Sequence, residues 1–271
     1  MSNLLVARNV YTLYECLCAS KGEAPYILYD ATYDTRCFKS LEKKLVEEQL
    51  VVKFLSIAEV SDYHFENIYF CAAMEPWHYS LLGLLNFDRL YLLEEGISNY
   101  LENNKPINAV IYVNHPELFR DTSSFSNVLP LLPNPMATKL KNLLEPKEIE
   151  DMSGLVFTSP MYVDYKEEVS KVIGDMFPYQ RIVMKLHPRD FNSYSGTFYP
   201  RYISGTIPAQ FMLDKYKGLP KVFFSVSTVL MDIPKEEIDN VTLVKLKCIK
   251  DINYIKQFDT PIAKLLKIVE V

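Results

Sequence analysis

Short apolar runs rich in β-branched and aromatic residues recur along the chain and alternate with stretches whose apolar positions fall three and four residues apart. Unbroken apolar runs mark buried strands and the longer spacing marks helices, so the alternation predicts an α/β architecture with parallel sheets. In the first half, strands are expected at residues 4–7, 26–29, 51–55, 67–71, 89–93 and 109–112, with helices at 12–20, 38–48 and 76–85. A second strand series is expected at 155–158, 181–186, 201–203, 222–225 and 242–246. Between the two series lie Pro130, Pro133, Pro135 and Pro146. Proline lacks the N–H that strands and helix interiors need, so this stretch predicts a crossing between domains. The expected division is an N-terminal Rossmann-like domain over 1–125, a linker over 126–153 and a C-terminal Rossmann-like domain over 154–271. The simplest assembly has the two halves facing each other across a cleft. Residues 255–271 place Ile262, Leu265, Leu266 and Ile268 among Lys264 and Lys267, which predicts a closing amphipathic helix.

Composition narrows the class. The 271 residues carry 29 Lys+Arg against 34 Asp+Glu, a net charge of −5, which supplies no cationic excess for a nucleic-acid partner. Hydrophobic residues make up 49% and charged residues 23%, values that exclude a disordered or fibrous chain. Cys16, Cys18, Cys37, Cys71 and Cys248 lack the paired spacing of zinc or redox sites and read as reduced core thiols of a cytosolic protein. The N-terminus has no basic region before its apolar stretch, and no run approaches the ~18 apolar residues of a membrane span, so neither export nor membrane crossing is expected.

Only eight glycines occur, and neither a dinucleotide nor a P-loop phosphate cradle is present. No Asp-x-Asp metal anchor occurs, and His64, His78, His115 and His187 lack two-His helical spacing, so no metal site is expected. Three places put chemistry-bearing residues at C-terminal strand ends, where an open parallel sheet presents its ligand crevice. Glu94 and Glu95 end one apolar run, and Gly96 permits a tight turn after them; spacing alone reads equally as a solvated strand end. His187 ends another, restricted by Pro188 and flanked by Lys185 and Arg189, so an anion would meet an imidazole and two cations. His115–Pro116 is a second such pair without basic neighbours. Ser225, Ser227 and Thr228 end a third run, either as phosphate donors or as an ordinary helix cap.

Taken in order, acidic-acidic-Gly, His-Pro and a Ser/Thr element resemble the motifs of bacterial sialyltransferases, most closely the lipooligosaccharide sialyltransferases of glycosyltransferase family 52. The resemblance implies a GT-B fold and a CMP-activated sialic acid donor, with no cofactor or metal. It implies Glu95, or Glu94 as the alternative, as the base on the acceptor hydroxyl. His187 would face the CMP phosphate as acid or electrostatic stabiliser, with Ser227, Thr228 and Ser225 hydrogen-bonded to that phosphate. The pair here is Glu-Glu where Asp is common at one position. The expected partners are the CMP-sugar and a glycan acceptor such as a galactoside of lipooligosaccharide or capsule. The expected location is the cytoplasm, with peripheral contact at the inner membrane face an open alternative, as is a second subunit supplying acceptor-binding elements. Transfer of Kdo or another sugar, or a non-catalytic nucleotide- or glycan-binding module, are the competing readings.

Overall fold

The computed structural model describes residues 2–33, 35–72, 74–94, 107–119, 122–146, 150–159, 164–187, 190, 192–213, 215–260 and 262–271, apart from the side chains of residues 37, 228 and 253. The chain divides into two compact units, the first ending at Leu144 and the second beginning at Glu145.

The first unit is built on seven strands: β1 Asn3–Ala7, β2 Tyr26–Tyr29, β3 Phe54–Leu55, β4 His64–Cys71, β5 Asn86–Leu93, β6 Ile107–Val113 and β7 Phe125–Pro130. Their order is β3-β2-β1-β4-β5-β6-β7, and every pairing is parallel. The helices are α1 Val10–Ala19, α2 Arg36–Lys39, α3 Glu42–Glu47, α4 Ile57–Val60, α5 Pro76–Leu82 and α6 Pro135–Leu144. All five residues of β1 are buried, as a central parallel strand covered on both faces requires. Directly after it, Asn9 turns the chain into α1, its Oδ1 accepting from the Tyr11 and Thr12 amides at 2.9 and 3.1 Å.

The second unit holds β8 Gly154–Phe157, α7 Lys166–Met176, β9 Arg181–Lys185, β10 Tyr199–Ile203, α8 Gln210–Leu213, β11 Lys221–Phe223, β12 Val241–Lys245, α9 Ile252–Gln257 and β13 Lys267–Glu270. The strand order is β10-β9-β8-β11-β12-β13, again all parallel. β8 needs glycine at its start, because a Cβ on Gly154 would lie 2.4 Å from the Phe177 ring. In both sheets the chain first winds one way from the opening strand and then returns to its other side. That reversal leaves a switch point between β1 and β4, and another between β8 and β11.

The α/β plan with parallel sheets is as expected. Three local expectations are corrected. The stretch 126–153 expected as a linker carries most of β7 and all of α6. Its prolines occupy the places an element tolerates them: Pro130 ends an edge strand, and Pro135 opens α6. Asn134 secures that helix start, accepting from the Met136 and Ala137 amides and donating to the Leu17 carbonyl of α1 at 2.6 Å. The closing helix expected over 255–271 is absent among the described residues: α9 ends at Gln257, and β13 adds to the sheet edge, Leu243 opposite Ile268. Pro261 in the sequence forbids a continuous helix there, and Ile268–Val269 suit a strand. Cys248, expected in the core, is exposed, whereas Cys16, Cys18 and Cys71 are buried. Burial pushes the Cys18 thiol up to about 12, so it stays protonated and unreactive. Among the described residues, no helix is long and apolar enough to cross a membrane.

Candidate functional site

Each unit gathers polar side chains at the C-terminal edge of its sheet. In the second unit the strand register decides which of them meet. Lys185 of β9 lies opposite Phe157 of β8, and Phe157 opposite Phe223 of β11. The loops that follow, beginning at Leu186, Thr158 and Phe224, therefore leave the sheet side by side. With strands about 4.8 Å apart, the His187 and Ser225 loops stand roughly 10 Å from each other, with the Thr158 loop between them. At the ends of these strands the Phe157 and Phe223 rings stack at 4.2 Å.

The backbone of His187 is held on both sides. Its N–H donates to Thr158 Oγ1 at 3.0 Å, and its carbonyl accepts from the Asp190 amide at 2.8 Å. Asp190 is itself buried, accepting from the Tyr194 hydroxyl at 2.8 Å and the Asn192 amide at 3.0 Å. Burial first, and then the Asp190 carboxylate, push the Tyr194 phenol up, so it remains a donor. Tyr202 completes the brace, its hydroxyl accepting from the Tyr194 amide and donating to the Tyr194 carbonyl. His187 is partly exposed at the top of this scaffold.

Lys185 is only 4% exposed, and its ammonium donates to the Leu186 carbonyl at 2.7 Å, supporting the loop from below. Ser225 and Ser227 are partly exposed. Ser227 precedes a five-residue 3₁₀ segment, Thr228–Asp232, where a longer helix start was expected; between the two serines the Val226 amide donates to Gln257 Oε1 at 2.9 Å. Pro188, Arg189 and the Thr228 side chain lie outside the described residues.

In the first unit, Glu94 follows β5 and is buried, with 2% exposure. Asn114, following β6, grips its carboxylate: the Asn114 amide donates to Oε2 at 2.8 Å and Nδ2 to Oε1 at 2.7 Å. The same Nδ2 lies 3.0 Å from the Tyr11 hydroxyl and 3.5 Å from Glu15 Oε1 on α1. Glu95 and Gly96 lie outside the described residues. His115, the lesser His-Pro candidate, approaches Glu117 at 3.4 Å.

Sequence reasoning missed a buried cluster at the switch point of the first sheet. Arg8 Nε donates to Asp30 Oδ2 at 2.7 Å, and His78 Nε2 reaches the same oxygen at 2.7 Å. Since His78 Nδ1 accepts from the Glu75 amide at 2.8 Å, the ring's proton sits on Nε2 and is donated to Asp30. Thr32 donates twice more, to Oδ1. Burial alone would raise the Asp30 carboxyl, but the hydrogen bonds from His78, Thr32 and Arg8 outweigh it and hold it well below the usual carboxylate range. Arg8 and Asp30 each follow an apolar strand directly, the signal that singled out Glu94 and His187.

A group whose folded pKa is depressed stabilises the fold above its unfolded pKa and loses that contribution as pH falls towards the folded value. Stability of the first unit is therefore expected to fall as pH drops below about 4. Trp77, whose ring lies 5.0 Å from His78, reports this by fluorescence in urea titrations, and Asp30→Asn should flatten the acid dependence.

Two parallel α/β units, each with its polar loops at the switch end of the sheet, make a GT-B-like fold, the plan of a large class of glycosyltransferases. A family model described as Glycosyltransferase family 52 matches residues 137–248, somewhat under half of the chain. The match contains every second-unit candidate and bears out the resemblance: over this stretch the chain is similar to glycosyltransferase family 52, which supports a glycosyltransferase of the sialyltransferase kind. The acidic pair of the first unit lies outside it. No curated protein matches the chain.

Proposed function

We propose that the protein transfers sialic acid, or a related nonulosonic acid, from its CMP donor to a hydroxyl of a cell-surface glycan precursor, with inversion and without a metal ion. The observation that carries this reading is the register of β9, β8 and β11, which brings His187, Ser225 and Ser227 to neighbouring loops at one sheet edge inside the family match.

In this reading the donor phosphate lies against the His187 loop and the two serines, with Thr228 and Arg189 as further donors. As the bond between sugar and phosphate breaks, positive charge develops on the ring and negative charge on the departing CMP oxygen. Donors already fixed at that oxygen stabilise the transition state more than the ground state. The buried Lys185 ammonium adds a positive field beneath the loop. Glu95 takes the proton of the acceptor hydroxyl as its oxygen bonds to the sugar from the opposite side, so one displacement inverts the centre. The acceptor is a galactoside of lipooligosaccharide or capsule, and the work is done in the cytoplasm or at the inner membrane face.

Purified protein incubated with CMP-sialic acid, a panel of galactosides and EDTA is expected to release CMP only when acceptor is present. A parallel CMP-Kdo arm separates the two donors. Absence of CMP release above background with every donor and acceptor removes the proposal.

A further inference from the structure

A continuing parallel ladder alternates its rungs: the amide of one residue donates to the strand beside it, and the carbonyl of the same residue accepts from two positions further along that strand. At the end of β5 the first rung is normal, the Glu94 amide donating to the Tyr112 carbonyl at 3.1 Å. The next rung is not. The Asn114 amide donates at 2.8 Å to the Glu94 side chain, so a carboxylate oxygen stands where the Glu94 carbonyl would have stood. The Asn114 side chain closes the pair on the second oxygen at 2.7 Å.

We infer that Glu94 is a positioning residue and Asn114 its partner: the clamped carboxylate ends the β5/β6 pairing at Glu94, the residue directly before the proposed base Glu95. The role of Glu94 rests on the transferase reading above; the substituted rung does not. Asn114 reaches the Tyr11 hydroxyl as well, so the clamp is referenced to α1 and to both strand ends. A carboxylate buried to 2% exposure and engaged by two donors of one residue is held as a strand terminator, and the proton of the acceptor falls to another group.

The experiment compares the full-length wild type with Glu94→Gln and Asn114→Ala, reading the kcat–pH profile with CMP-sialic acid and hydrogen–deuterium exchange at the Asn114 amide. The Glu94→Gln substitution turns an NH₂ towards one of the two Asn114 donors, which breaks the clamp without changing its size. Both variants are expected to lose about 10²-fold in kcat through misplacement of the residue that follows Glu94, with donor KM little changed. The acid limb of the profile should keep its midpoint, and the Asn114 amide should exchange faster. Loss of the acid limb in Glu94→Gln would make Glu94 itself the base and overturn the inference, as would unchanged protection of the Asn114 amide. If Glu94→Gln does not fold, Asn114→Ala carries the same readouts. A wild type without turnover counts against the transferase reading alone; exchange at Asn114 then decides the clamp by itself.

Discussion

On the proposed reading, His187→Ala is expected to lower kcat by about 10²- to 10³-fold while leaving the fold intact, the cost of removing one preplaced donor from a developing oxyanion. His187 is partly exposed, and its backbone is fixed by Thr158 and Asp190 whatever the side chain is, so alanine removes the imidazole and spares the loop. His64→Ala is the control: that ring lies at the surface, 3.2 Å from Asp88, and its loss should leave turnover unchanged. Initial rates of CMP release at saturating acceptor measure both. Equal rates for His187→Ala and wild type would remove His187 from the reaction.

The largest effect on stability is expected at the opposite end of the same sheet. Lys221 opens β11 with no solvent exposure, its ammonium paired with Glu237 and donating to the Leu219 carbonyl at 3.1 Å. Glu237 also accepts from the Gly218 amide at 3.1 Å, tying the turn before the strand to the segment that leads into β12. Lys221→Met leaves a buried carboxylate without its cation, which costs about 3–5 kcal/mol. The double replacement Lys221→Met with Glu237→Leu removes both charges and should recover most of the loss. Urea unfolding followed by far-UV circular dichroism reads the difference. The single tryptophan, Trp77, lies in the first unit, so its emission serves as an internal reference. A double variant no more stable than the single one would show that the pair contributes through packing and not through charge.

What could be read from the amino acids depended on how far apart the interacting residues are. Central strands were legible because burial on both faces demands an unbroken apolar run, as in Leu4-Leu5-Val6 and Ile182-Val183-Met184. Of the edge strands, β3 and β10 were expected at 51–55 and 201–203, but β7 and β13 were not. β13 is a four-residue strand with one neighbour, and its apolar positions also fit a helical spacing. The prolines around Asn134 read as breakers, because their places at a strand end and a helix start depend on pairing that composition does not reveal. Polar residues directly after apolar strands led correctly to the sheet edge in the second unit. The partners that fix them were beyond reach: Thr158 and His187 are 29 positions apart, Glu94 and Asn114 are 20, and Asp30 and His78 are 48. Parallel register makes neighbours of the first two pairs, and the packing of helix α5 against the sheet makes neighbours of the third.

All seven strands of the first sheet come from residues up to Leu144, and all six of the second from residues after it. Among the described residues neither sheet borrows a strand from the other. Ribosomes deliver about 5–20 residues per second, so the first sheet has its complete set of strands on the order of ten seconds before β13 emerges. Vectorial synthesis thus allows the amino-terminal half to mature as a nascent chain, sheltering its slow parallel pairings from competition with the six strands still to come.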